Sequence, residues 1–148
     1  MSNNQFLTYD YFKIPRIELD KKQLPEEIYF PFIPIRIAHD RKLSLPFRAL
    51  VDSGATRNLL PAALGIQAGI DILSGERVKI FGIGRKEITA YTHKIKVHLD
   101  LLSFETEADF SLDQDIPLLG REGFFNLFQK VIFDEYFHQL QLLLRTES

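Results

Sequence analysis

Leu50-Val51-Asp52-Ser53-Gly54-Ala55 joins the end of an apolar run to a carboxylate, a hydroxyl and a glycine, and the fold turns on this stretch. An apolar strand that delivers a carboxylate into a tight loop leaves that carboxylate within reach of water. Gly54 permits close backbone approach beside it. The string alone also fits a polar turn in which Asp52 merely hydrogen-bonds its own backbone, as Asp commonly does in loops.

On the N-terminal side, Ile33, Ile35 and Ile37 alternate with Pro34 and Arg36, the period-two signature of a half-buried strand. Pro34 lacks an N–H and predicts an edge position. His39-Asp40-Arg41-Lys42 supplies a turn, and Leu43 to Val51 returns, so residues 33–51 form a hairpin that runs straight into Asp52. On the C-terminal side, Asn58 to Gly65 has room for only a short helical turn, with Pro61 at its first position and Gly65 at its end. Val78–Phe81 and Ile88–Leu101 are strand-like around Gly82-Ile83-Gly84, the second alternating Ile95, Val97, Leu99 and Leu101 with Lys96, His98 and Asp100. Phe104, Thr106, Ala108 and Phe110 alternate with Glu105, Glu107 and Asp109, predicting a further strand with a polar face. Ile116-Pro117-Leu118-Leu119-Gly120-Arg121 is an apolar strand ending in Gly and Arg. Apolar residues at 124, 125, 127 and 128 then predict one short helix against the sheet. Val131–Asp134 and Gln139–Leu144 close the chain as two strands around Glu135-Tyr136.

At 148 residues and 45% hydrophobic content the chain supports one core. Residues 1–30 mix aromatic and charged side chains, with Pro15 and Pro25 interrupting them, and predict an extended arm ahead of a domain over 31–148. No cysteine is present, which excludes a disulfide framework, thiol catalysis and Cys-ligated zinc. Eighteen basic against twenty acidic residues, with no block of either sign, argue against nucleic acid as a partner. No basic start leads into an apolar run and no stretch of about 18 apolar residues occurs, so the chain reads as soluble and cytoplasmic, with no membrane partner. His39, His93, His98 and His138 show no metal-ligand spacing, Gly82-Ile83-Gly84 lacks the third glycine of a dinucleotide loop, and no Gly-Lys-Ser/Thr loop exists. Ser74-Gly75 lacks the preceding Gly-x of a nucleophile elbow. No metal and no cofactor are expected.

In order and spacing, Leu50 to Ala55, Phe81-Gly82-Ile83-Gly84 and Leu118-Leu119-Gly120-Arg121 resemble the catalytic loop, flap tip and last turn of the retropepsin-like aspartic peptidases, in a single-domain, bacterial-like form. The resemblance covers roughly residues 33–134. It implies a mostly β fold, a closed retropepsin-like barrel with one short C-terminal helix. By the same resemblance Asp52 is the catalytic carboxylate, Ser53 the hydroxyl that braces paired loops, and Gly54 and Ala55 the remaining loop support. Gly82, Ile83 and Gly84 would close over a peptide or protein substrate, and Gly120 and Arg121 would be structural.

Only one Asp-Ser-Gly string is present, whereas the family's mechanism needs two carboxylates around one water. A homodimer would supply both, each subunit giving one Asp52, and would act as an aspartic endopeptidase. The alternative is a catalytically inactive dimerisation or peptide-binding module of the same fold. Thr56, followed by Arg57, stands where the family's viral members carry an acid, so Arg121 lacks its usual ion-pair partner and is left to meet another carboxylate. Arg85 replaces a further flap glycine and is expected to stiffen that hairpin.

Overall fold

Alternating side chains around Asp52 become strands, and a computed structural model describes residues 5–15, 27–82, 84 and 86–146. In chain order they are β1 (Phe6–Asp10), β2 (Phe12–Pro15), β3 (Glu27–Phe30), β4 (Phe32–His39), β5 (Lys42–Leu43), β6 (Phe47–Val51) and β7 (Leu59–Pro61). Helix α1 (Ala62–Gln67) follows. Then come β8 (Glu76–Phe81), β9 (Glu87–Leu99), β10 (Leu102–Ser111), β11 (Leu118–Leu119), β12 (Phe128–Asp134) and β13 (Gln139–Leu144).

Neighbouring strands run β4–β6–β11–β7–β10–β9, and β9 returns to β4 by pairing His98 to Lys96 with Arg36 to Ala38. That last pairing closes a six-stranded barrel. Closure covers the ladder edge of β4 from Arg36 to Ala38. Ile33, Ile35 and Ile37 of β4 and Ile95, Val97 and Leu99 of β9 point inward and are almost fully buried, while Lys94 and Lys96 stay exposed. Phe110, Leu119 and Phe124 complete the core. Burying each such side chain favours the fold by roughly 1.5–3 kcal/mol. Pro34 is locally an edge residue, because β4 pairs with β6 over Phe32–Ile35 and reaches β9 only from Arg36 onward.

Both expected helical stretches are present with other bounds. The short helix expected over 124–128 is a single 3₁₀ turn, Phe125–Leu127, and Phe128 already begins β12. Phe124 and Phe128 are both buried with their rings 5.2 Å apart, so the apolar spacing marks two anchors of a turn. Gly123, at φ +106°, bends the chain into it. The α-helix lies earlier, at Ala62–Gln67, and it runs past Gly65. A β-carbon at Gly65 would stand 2.7 Å from Ile72 and 2.9 Å from the Phe110 ring, so this glycine permits close packing and does not end the helix. Pro61 falls just before the helix, as the last residue of β7.

The stretch read as an arm contains strands fastened to the C-terminal hairpin. β1 pairs antiparallel with β13, from Phe6 opposite Leu143 to Asp10 opposite Gln139, and β13 pairs with β12. β2 and β3 form their own hairpin, with Tyr29 stacked on His138 at 3.8 Å. Pro25 and the rest of residues 16–26 lie outside the described residues. Among the described residues, no helix is long and apolar enough to cross a membrane.

Tyr11, between β1 and β2, is buried at 6% exposure, and its hydroxyl has no hydrogen-bond partner among the described residues. Burial, followed by the charges of Glu135 and Asp134, pushes its phenol up to about 12. A buried hydroxyl without a partner costs its desolvation, on the order of 1–3 kcal/mol. Tyr11→Phe keeps the ring and removes that cost, so it should raise the melting temperature by about 2–4 °C. A drop on thermal denaturation would show that the hydroxyl is hydrogen-bonded in solution.

Candidate active site

Asp52 follows β6 directly, and the chain returns as β7, yet these two strands do not pair with each other. β11 lies between them, parallel to β6 through Leu118–Leu50 and Leu119–Val51 and antiparallel to β7 at Leu118–Leu59. Both feet of the loop therefore stand on one intervening strand. The Asp52 amide donates to the Leu119 carbonyl at 2.9 Å, and the Ala55 amide to the Asp52 carbonyl at 3.1 Å. On the far side, Arg121 and Glu122 amides donate to the Ala55 and Thr56 carbonyls at 2.9 and 2.8 Å. A short loop so bonded holds its carboxylate in one place.

Asp52 is half-buried. Its Oδ1 accepts the Gly54 amide at 2.8 Å, and Oδ2 accepts no hydrogen bond from any described residue. One oxygen is thus fixed and the other is open to solvent or substrate. A β-carbon at Gly54 would sit 3.2 Å from Oδ1, so glycine leaves the approach to the carboxylate uncrowded. Ser53 is exposed, and its hydroxyl makes no hydrogen bond with the described residues. Ala55 is partly buried and supplies the carbonyl that receives Arg121.

The loop opens on a cleft of about 580 Å³ that it shares with the β8–β9 hairpin. Ala55, Leu59, Ile80, Phe81, Ile88 and Leu118 give most of its lining an apolar character, and Gly82 stands on its rim side of the hairpin. Phe81 is 70% exposed, an apolar ring held in water beside a carboxylate. Gly82 donates its amide to the Lys86 carbonyl at 3.0 Å, and Gly84 adopts φ +84°, so the turn uses a conformation that favours glycine. Ile83 and Arg85, expected to close over substrate and to stiffen the hairpin, lie outside the described residues.

Gly120 faces the backbone of Arg57, and a β-carbon there would collide with the Arg57 carbonyl. The Gly120 amide donates to Asn58 Oδ1 at 3.0 Å, and Asn58 Nδ2 donates to the Glu107 carbonyl at 2.9 Å. Asn58 is 1% exposed, so this amide joins the Asp52 loop, the Gly120 turn and β10 inside the protein. Its position six residues after Asp52, at the start of a stretch read as a short helical turn, gave no hint of that role.

Arg57 takes up the ion pairing that the departure at Thr56 left open. Its Nε and Nη2 donate to the two carboxylate oxygens of Asp109 at 2.9 and 3.1 Å, and Glu107 lies 3.5 Å away. Thr92 Oγ1 adds a third donor to Asp109 at 2.6 Å. Asp109 is fully buried although its strand alternates, because the barrel closes over this end of β10. Its hydrogen bonds raise the Arg57 guanidinium above its ordinary value, against the opposing effect of burial. Arg121 is exposed and pairs with no carboxylate among the described residues, contrary to expectation. The sequence signal for Asp109 was indirect: an arginine directly after the loop needs an acid, and an acid lies on a strand that returns beside it.

No protein-family model matches the chain, and no curated protein matches it. Solved structures do. The EIAV protease complexed with the inhibitor HBY-793 is 17% identical, with a TM-score of 0.49, covering 71% of this chain and 88% of its own. A retropepsin-like aspartic protease from Rickettsia conorii is 20% identical, with a TM-score of 0.57, covering 75% of this chain and 89% of its own. With the barrel closed through β4 and β9 and the Asp52 loop anchored on β11, this second likeness establishes that the chain has the retropepsin-like fold of aspartic proteases.

Proposed function

We propose that the chain is an aspartic endopeptidase that works as a homodimer, with two Asp52 carboxylates, one from each copy, activating a single water. The observation that carries this is the placement of Asp52: a rigidly bonded loop presents one free carboxylate oxygen at the mouth of a largely apolar cleft beside a glycine-containing hairpin. One carboxylate cannot serve as both acid and base in the same step. A two-fold axis beside the loop supplies the second from an identical surface.

Two such carboxylates in contact share one proton, because like charges at that distance do not both ionise. The charged member takes a proton from water, whose oxygen attacks the peptide carbonyl carbon. The protonated member donates to the carbonyl oxygen, giving a tetrahedral diol. The first member then gives the proton it took from water to the amide nitrogen, while a diol hydroxyl returns its proton to the second. The C–N bond breaks, the new carboxyl and amine leave, and one carboxylate and one carboxylic acid are restored. The apolar lining favours extended peptides with apolar side chains near the cut.

The test is cleavage of a mixed peptide library by purified protein over a dilution series, with sedimentation read on the same samples. Activity per chain should fall as the dimer dissociates, and its pH profile should be bell-shaped. Absence of cleavage across the acid-to-neutral range, in samples shown to be dimeric, would refute the peptidase and leave a binding module.

A further inference from the structure

We propose that Arg57 and Asp109 form a positioning pair that sets the aim of Asp52 through the short loop they hold. Its kinetic readout rests on the peptidase reading; its structural readout does not.

Three features of the pair carry this. First, it is a complete polar unit at a buried place: Asp109, 0% exposed, receives Arg57 Nε, Arg57 Nη2 and Thr92 Oγ1. A bidentate arginine–carboxylate contact fixes orientation as well as distance. Second, Arg57 lies on the segment that carries Asp52. Its own backbone bridges to Glu122 and forms the wall against which Gly120 packs without a side chain. Moving the Arg57 side chain off Asp109 would pull on the residues whose carbonyls, at Ala55 and Thr56, anchor the loop to the turn beyond β11. Third, Asp109 is tied to the same segment by its backbone, its amide donating to the Asn58 carbonyl at 2.9 Å. Strand β10, held between β7 and β9, thus acts as a fixed floor to which the loop is bolted by one side chain and one amide.

Arg57 and Asp109 also line the cleft with Asp52, so the pair forms part of the wall that a bound peptide would meet. Its charges are already matched, and an acidic substrate group would compete with Asp109 and Glu107 for the same guanidinium. The pair is therefore suited to holding geometry, and not to selecting charge.

Arg57→Lys keeps the positive charge while losing the fork that grips both Asp109 oxygens, so it changes geometry with little change in field. In the full chain this variant should lower kcat on the order of tenfold or more, because small misplacement of a reacting group is costly, with KM within about twofold. The carboxyl carbon of Asp52, assigned by comparison with Asp52→Asn, should titrate about half a pH unit or more away from wild type in labelled protein. Should Arg57→Lys fail to fold, Thr92→Val removes one donor from Asp109 without altering charge and should shift kcat and the titration in the same sense, more weakly.

A folded variant with lowered melting temperature but an unmoved Asp52 titration and wild-type kcat would overturn the proposal and leave the pair purely structural. If wild type cleaves nothing, the titration still decides: a shift upholds positioning while the peptidase reading fails, and no shift overturns both.

Discussion

Asp52→Asn is expected to abolish peptide cleavage while leaving the barrel folded and the dimer assembled. The amide nearly matches the carboxylate in shape, and its oxygen can still accept the Gly54 amide, the one hydrogen bond the Asp52 side chain receives from the described residues. What it loses is the capacity to take up and return a proton. Acid and base assistance are each worth roughly 10²–10⁴ in rate, and a pair that acts as a unit loses both together, so turnover should fall by about four orders of magnitude or more. Mixing adds a sharper measurement. When wild-type and Asp52→Asn chains are co-refolded in equal amounts, random pairing leaves activity at about a quarter of an all-wild-type sample at the same total concentration. Independent chains would leave half. A value of one half would sink the shared site while sparing the role of Asp52.

The largest effect on stability is expected at Gly120→Ala. The added methyl would meet the backbone carbonyl, carbonyl carbon and nitrogen of Arg57, and none of these can rotate away as a side-chain tip could. Overpacking in cores costs typically 1–3 kcal/mol, and an obstacle made wholly of backbone places this case near the upper end, at about 3 kcal/mol. That strain falls where the Gly120 amide meets Asn58, so the buried link to β10 should loosen with it. Chemical denaturation of the variant against wild type measures the loss. A change below about half a kcal/mol would show that the loop relaxes freely, and would count against a rigidly held Asp52.

Strands were legible from period-two alternation because the closed barrel gives each long strand an inner and an outer face; β4 and β9 show this most clearly. Asp52 was legible because its neighbours carry a motif. The 3₁₀ form of the short helix at 124–128 and the overrun at Gly65 share a cause: apolar spacing reports which residues are buried, and tertiary packing decides the form and length of the element that buries them. Asp109 was hidden for a related reason. Glu105, Glu107 and Asp109 look alike along an alternating strand, yet the first two are exposed and the third is sealed in by Arg57 and Thr92. Only the strand's neighbours distinguish them. Asn58 read only as the start of a short helical turn because a single side-chain amide bridging two backbones leaves no trace in the periodicity.

The pairing of β1 with β13 bears on how the chain can be made. During synthesis Phe6–Asp10 emerges early, but its partner Gln139–Leu144 follows only after every barrel strand. The first strand must therefore wait with its ladder groups bonded to water, through the period in which an exposed strand is most prone to pair with the wrong chain. Asp10 at the end of this strand gives it charge, which discourages such pairing. The same closure sets a slow pace, since loop entropy must be lost before the most distant contact is gained. The three-stranded sheet, unlike the six-stranded barrel, is therefore completed only by strands drawn from both sides of the barrel segment.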